Sequence, residues 1–168
     1  MPTFIDAIVL LSSPKPAPEV LTLLNHLLDE RQLASPGDSM VVFNDHKGLE
    51  REPEGASSPR EAFRLLAENS SLGGIQIDFA GQKLSIFLYG LMPFSVNAIS
   101  LSVLASGYLS NQRLKELFDG LIQELHSSLS AKRTISDFEI LSPDSFWRQE
   151  VARLKDDIFE QDYLVDLR

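Results

Sequence analysis

Residues 73–89, GGIQIDFAGQKLSIFLY, decide the fold. Ile75, Ile77 and Phe79 alternate with Gln76 and Asp78. Leu84, Ile86 and Leu88 alternate with Ser85, Phe87 and Tyr89. A period of two turns one set of side chains to one face of a strand. Gly81, between the two runs, supplies the turn of a hairpin. After a break at Pro93, Ile99, Leu101 and Val103 alternate with Ser100 and Ser102. Leu114, Leu117, Phe118, Leu121, Ile122, Leu125 and Leu129 then recur at helical spacing. Gly73 to Ala131 therefore predicts a three-stranded antiparallel meander covered by one long amphipathic helix.

Working outward, Phe4 to Leu11 reads as a strand, continuously apolar from Ile8 to Leu11 as in a strand buried on both faces. Pro14, Pro16 and Pro18 forbid regular structure until a helix starts with Pro18 in its first turn. Val20, Leu23, Leu24, Leu27 and Leu28 are its buried stripe, and Pro36-Gly37 ends it. Met40 to Phe43 is a second short buried strand, which makes an N-terminal βαβ unit. Asp45 to Ser57 is a charged loop, longer than the usual connection.

Ser58-Pro59-Arg60-Glu61 opens the next helix as a capping box, and Gly73-Gly74 stops it. Thr134 to Leu141 alternates as a further strand, and Ser142-Pro143 starts a last helix carrying Trp147, Val151, Leu154 and Ile158. The expected class is α+β, with a mostly antiparallel sheet of about five to six strands and helices packed on it. The chain is read as one globular domain, residues 1–168, in which 155–168 is either a docking or a mobile tail.

Composition bounds the function. A 43% hydrophobic content is enough for a real core. Twenty-four acidic against fifteen basic residues, net −9, argue against nucleic acid, whose phosphates need a basic surface. The same charge can attract a basic protein. No apolar run reaches the roughly 18 residues of a membrane span. Ile8 to Leu11 is too short for a signal-peptide core. A cytoplasmic protein without membrane contact is expected. With no cysteine, disulfides, thiolate catalysis and Cys-based zinc sites are excluded.

No nucleotide-binding loop, H-E-x-x-H pair or G-x-S-x-G elbow is present. His26 and His126 lie at the edges of helical stripes, and Ser100 and Ser102 read as ordinary polar positions of a half-exposed strand. Asn44-Asp45-His46, directly after a strand, is the best place for a polar site, with Asp45 orienting His46 as a general base. That arrangement describes a small metal-dependent or general-base hydrolase as one alternative. The leading reading assigns no catalytic residue, no metal ligand and no cofactor. It takes the chain as a binder of a protein partner, with Asp45, Glu50, Glu52 and Glu54 in the loop and Asp157, Glu160, Asp162 and Tyr163 in the tail as contacts. Oligomeric state is left open.

Gly73 to Ala131, with the strand after it, resembles in arrangement the small acidic α+β immunity proteins of bacterial toxin systems. In those, a short meander precedes a long helix such as Arg113-Leu114-Lys115-Glu116-Leu117-Phe118 through Leu125. The resemblance implies neutralisation of a cognate basic toxin by steric occlusion, and transfers no functional residue. Ser58 to Phe159, read as helix, three strands, helix, strand, helix, is also similar to secretion-effector chaperones. The unit Phe4 to Phe43 stands outside that pattern.

Overall fold

The computed structural model describes residues 2–30, 39–44, 52–140 and 162–168. Twelve elements follow in chain order: β1 (Phe4–Pro16), α1 (Ala17–Glu30), β2 (Ser39–Phe43), β3 (Glu54–Ala56), α2 (Pro59–Ala67), β4 (Gly73–Phe79), β5 (Gln82–Tyr89), β6 (Ser95–Leu104), α3 (Ala105–Ser110), α4 (Gln112–Ser128), β7 (Ala131–Phe138) and β8 (Val165–Leu167). The strands form one sheet in the order β3-β2-β4-β5-β6-β1-β7-β8. Every pairing is antiparallel. The class is α+β, with eight strands rather than five or six. The two unforeseen strands are β3 and β8, three residues each, too short to show a period.

The meander β4-β5-β6 forms as its alternation requires. Ala80 and Gly81 take φ 50° and 81°, the paired positive angles of a two-residue hairpin turn. Gly73-Gly74 opens β4 instead of stopping the preceding helix, which already ends at Ala67. Four antiparallel steps separate β2 from β1, so the two run parallel with the meander lying between them. The connection through α1 therefore crosses three strands.

One face of the sheet carries the main core. Val9 from β1, Ile77 from β4, Ile86 from β5 and Leu101 from β6 pack in one cluster with Leu24 of α1, Leu66 of α2 and Phe118 of α4. All the described helices sit on this face. On the other, Ile8, Leu10, Ala98 and Ile135 form a smaller cluster with Tyr89, Ile140 and Tyr163 against it. β1 is thus buried on both sides from Ile5 to Leu11, as its apolar run requires. β2 is not, since Met40 is 44% exposed.

β1 also runs five residues further than expected, through Pro14 and Pro16. Its register with β6 breaks between Leu10 and Lys15, and Pro16 sits at the final pair opposite Ser95. A bulge and a strand end are where a residue without an N–H is tolerated. Ser100 is buried rather than half-exposed, because the second cluster, with Tyr89 against it, covers its face of β6. Its hydroxyl lies 3.0 Å from the Tyr89 hydroxyl. Ser102 donates to the buried Asp6 carboxylate at 2.7 Å. β7 ends at Phe138, and Arg133 to Ser136 are buried consecutively instead of alternating.

Capping sets the helix starts. The Ser58 hydroxyl accepts from the Glu61 amide at 3.1 Å, with Pro59 in the first turn. The Glu61 side chain does not complete the box. Arg64 takes both its oxygens at 2.7 and 3.0 Å and holds its carboxyl below the usual range. Ser58→Ala is expected to cost about 1 kcal/mol in urea unfolding, the usual value of a lost N-cap. α3 has no strong sequence signal. It is held by Tyr108, whose ring meets Phe118 edge-on at 6.0 Å and whose hydroxyl donates to Asp119 at 2.9 Å. Burial, and then Asp119, push this phenol far above its ordinary value, so it remains a donor.

Candidate protein-docking surface

The β5–β6 connection, Gly90-Leu91-Met92-Pro93-Phe94, is apolar where a loop is usually polar. Its backbone is tied on three sides. The Phe94 amide donates to the Ser70 carbonyl at 2.9 Å, and the Phe94 carbonyl accepts from the Ala17 amide at 2.8 Å. The Ser95 amide donates to the Met92 carbonyl at 3.2 Å. The Leu91 amide donates to the Asn97 side-chain oxygen at 3.0 Å. Pro93 fixes its own φ, and Phe94 is forced to φ 55°, a costly angle for a residue with a Cβ.

The side chains do not share that confinement. Leu91 is 53% exposed, Met92 67% and Phe94 44%. A backbone held this tightly would allow burial, yet three large apolar groups face water. Beside them, Leu91 and Met92 form one wall of an open hollow of about 350 Å³. The opposite wall is the β1 stretch Leu10 to Pro14, and Asn97 completes it. That wall is itself fixed, because the Ser12 hydroxyl donates to the Ser130 carbonyl at 2.8 Å. None of the described residues that line the hollow is charged. Chemically the arrangement suits an apolar side chain entering from a partner, with little ordering of the loop required on contact.

The residues singled out from sequence lie elsewhere. Glu52 and Glu54 are exposed, and Glu54 begins β3 opposite Val41. Part of the expected loop is therefore the edge strand of the sheet. Asp162 is exposed, and Tyr163 is half-buried with its ring centroid 5.5 Å from the Arg133 guanidinium. β3 and β8 are the two opposite edges of the sheet, so these two sets are not brought together. Asp45, His46, Glu50, Asp157 and Glu160 lie outside the described residues, as do Pro36-Gly37 and the last helix expected from Ser142. The signal for the loop was present in the sequence as Leu91, Met92 and Phe94 around Pro93, but it reads there as a mere interruption between strands.

Among the described residues no group of three or more His, Asp or Glu side chains is placed to hold a metal ion. None of the described helices is long and apolar enough to cross a membrane.

No family model matches this chain, and no curated protein does. Among solved structures it is similar to the Pseudomonas aeruginosa T6SS protein PA0821, at 11% identity and a TM-score of 0.46. The match covers 88% of this chain and 43% of that one, so this chain spans less than half the length of that protein.

Proposed function

We propose that this chain is a non-catalytic protein-binding module that neutralises a basic protein partner by occlusion, in the manner of a toxin-immunity protein. The observation that carries the reading is the apolar triplet Leu91, Met92 and Phe94, displayed on a backbone that hydrogen bonds hold on three sides. Large apolar side chains exposed together mark contact surfaces. Preorganisation of the loop removes part of the ordering cost of association. The excess of acidic residues, with Glu52 and Glu54 on the surface, would accelerate encounter with a basic partner without supplying most of the affinity.

A photocrosslinking residue at position 92, in the source cell, tests this. The expected result is one adduct with a basic protein, competed by excess unlabelled wild-type chain. A Met92→Asp competitor should be at least tenfold weaker, about 1.4 kcal/mol, because it places a charge in the contact. The captured partner should poison cells alone, be harmless with the wild-type chain, and regain toxicity with Met92→Asp. Equal competition by both chains would remove the loop from the interface. A captured partner that is harmless alone would remove neutralisation.

A further inference from the structure

One surface of the molecule carries both a knob and a hole. Met92, at 67%, is more exposed than any other large apolar side chain among the described residues. It borders a hollow of about 350 Å³, within the roughly 300–1,000 Å³ of pockets that bury small ligands. Charge singles out the same place. The chain carries net −9, so two copies repel one another over most of their surfaces. Yet the sequence holds no charged residue from Ala7 to Pro14, and none from Leu84 to Gln112. These two stretches supply the triplet Leu91, Met92 and Phe94 and every described residue that lines the hollow. Core burial accounts for only part of that neutrality, because Ser12, Ser13, Pro14 and the triplet are all exposed.

We propose that this surface binds a second copy of the chain, with Met92 of each copy seated in the hollow of the other about a two-fold axis. A two-fold contact is isologous: one patch meets itself, so each copy must present both knob and hole. Here the two adjoin, because Met92 is also a wall of the hollow. An acidic chain meets itself most readily where no like charges are set opposite one another, and this patch is such a place. Burial of the triplet supplies the attraction. Methionine suits the contact, since its unbranched chain adapts to an irregular gap. The pairing stands apart from the partner reading above, but its consequence rests on that reading. Both contacts use the same side chains, so a second copy and a basic partner exclude one another. The pair keeps the triplet out of water until the partner competes for it. Salt separates the two contacts. It screens the repulsion between acidic copies and favours the pair, whereas it slows encounter with a basic partner.

Sedimentation velocity of the full chain, from about 1 μM to about 1 mM, tests the pairing. The mass is expected to rise from that of one chain to that of two and no further, because a two-fold contact closes. Raising salt from about 0.01 to 0.15 M shortens the screening length from about 30 to 8 Å, and should tighten the pair at least threefold. Met92→Asp should weaken it at least tenfold. Leu109→Asp adds the same charge at a side chain 65% exposed, on α3 beyond the opposite end of β6, and should change it by less than about twofold. The chain has no cysteine, so a Met92→Cys chain mixed with a Ser13→Cys chain should form a mixed disulfide at least tenfold faster than Leu109→Cys with Ser13→Cys. A single-chain mass up to about 1 mM would overturn the proposal, as would equal weakening by Met92→Asp and Leu109→Asp. A pair loosened by salt would also overturn it, because charge and not the neutral patch would then hold the copies together. Where the basic partner is present it displaces the second copy, so position 92 still captures that partner in the source cell. The pairing and the partner reading therefore fall independently.

Discussion

Gly90→Ala is expected to lower stability by roughly 3 kcal/mol, at the upper end of the overpacking range, and to disperse the apolar triplet at the same time. A Cβ on Gly90 would overlap the Ser95 carbonyl oxygen and lie 2.9 Å from its carbon. Both atoms are backbone, so no rotamer change relieves the clash. Ser95 begins β6 and pairs with Pro16 at the end of β1, so the shift runs into two strands. It also pulls Leu91 away from Asn97, whose side chain accepts the Leu91 amide. Urea unfolding measures the stability, and the crosslinking yield at position 92 measures the display. Gly55→Ala is the control: nothing lies within 4 Å of its added Cβ, and a surface change of that kind is expected to stay within about 0.5 kcal/mol. If Gly90→Ala matched Gly55→Ala, the loop would be supple rather than pinned. The docking surface would then lose its preorganisation.

The contrast between these glycines shows what the sequence can and cannot reveal. Ser58-Pro59, Gly81 and the alternation through β4 and β5 are local instructions, complete within a few residues, and each appears where expected. The need for glycine at position 90 depends on Ser95 closing back over it, a contact the chain order does not display. Strand order is non-local in the same way. Nothing near Met40 says that β4 rather than β1 will be its neighbour. β3 and β8 escape notice because three residues carry no period, and because an edge strand exists only where a neighbour is already in place. The burial of Ser100 is non-local too: an alternating strand predicts a wet face, and the second cluster, with Tyr89 against it, covers that face around Ser100. The candidate contacts chosen by charge, such as Glu52 and Glu54, were legible because acids are conspicuous. The triplet at Leu91, Met92 and Phe94 was not, because apolar residues count as core until a structure exposes them.

Arg133, with a side chain only 3% exposed, donates from Nε and Nη2 to the two carboxylate oxygens of Asp166 at 3.1 and 3.0 Å. Asp166→Ala and Arg133→Met are expected to be unequal, although they break the same ion pair. Removing Asp166 strips a carboxylate from a guanidinium that is buried, and breaking a buried pair from one side costs about 3–5 kcal/mol when the remaining charge stays desolvated. Here β8 is short and part-exposed, so its release lets water reach Arg133. The expected loss is therefore smaller, about 2–3 kcal/mol. Removing Arg133 leaves Asp166 in a position it can escape toward solvent. Met also fills much of the same space without a desolvation penalty, so Arg133→Met should cost within about 1 kcal/mol. Acid should act on the wild-type chain in the same direction as removing Asp166. The hydrogen bonds from Arg133, then its charge and that of Arg168, outweigh burial and hold the Asp166 carboxyl below its ordinary value of 3.8. A carboxyl with a lowered folded pKa binds its proton more readily in the unfolded chain. Its contribution is full above about pH 4, and it fades as pH falls toward the lowered folded value. Stability followed by urea unfolding between pH 6 and 2.5 should therefore fall more steeply in wild type than in Arg133→Met, whose Asp166 has lost the guanidinium. The protection of the β7 amides facing β8, measured relative to the intrinsic exchange rate at each pH, should fall over the same acid range. Parallel pH profiles for the two chains would show that the fork between Arg133 and Asp166 does not hold β8 in place.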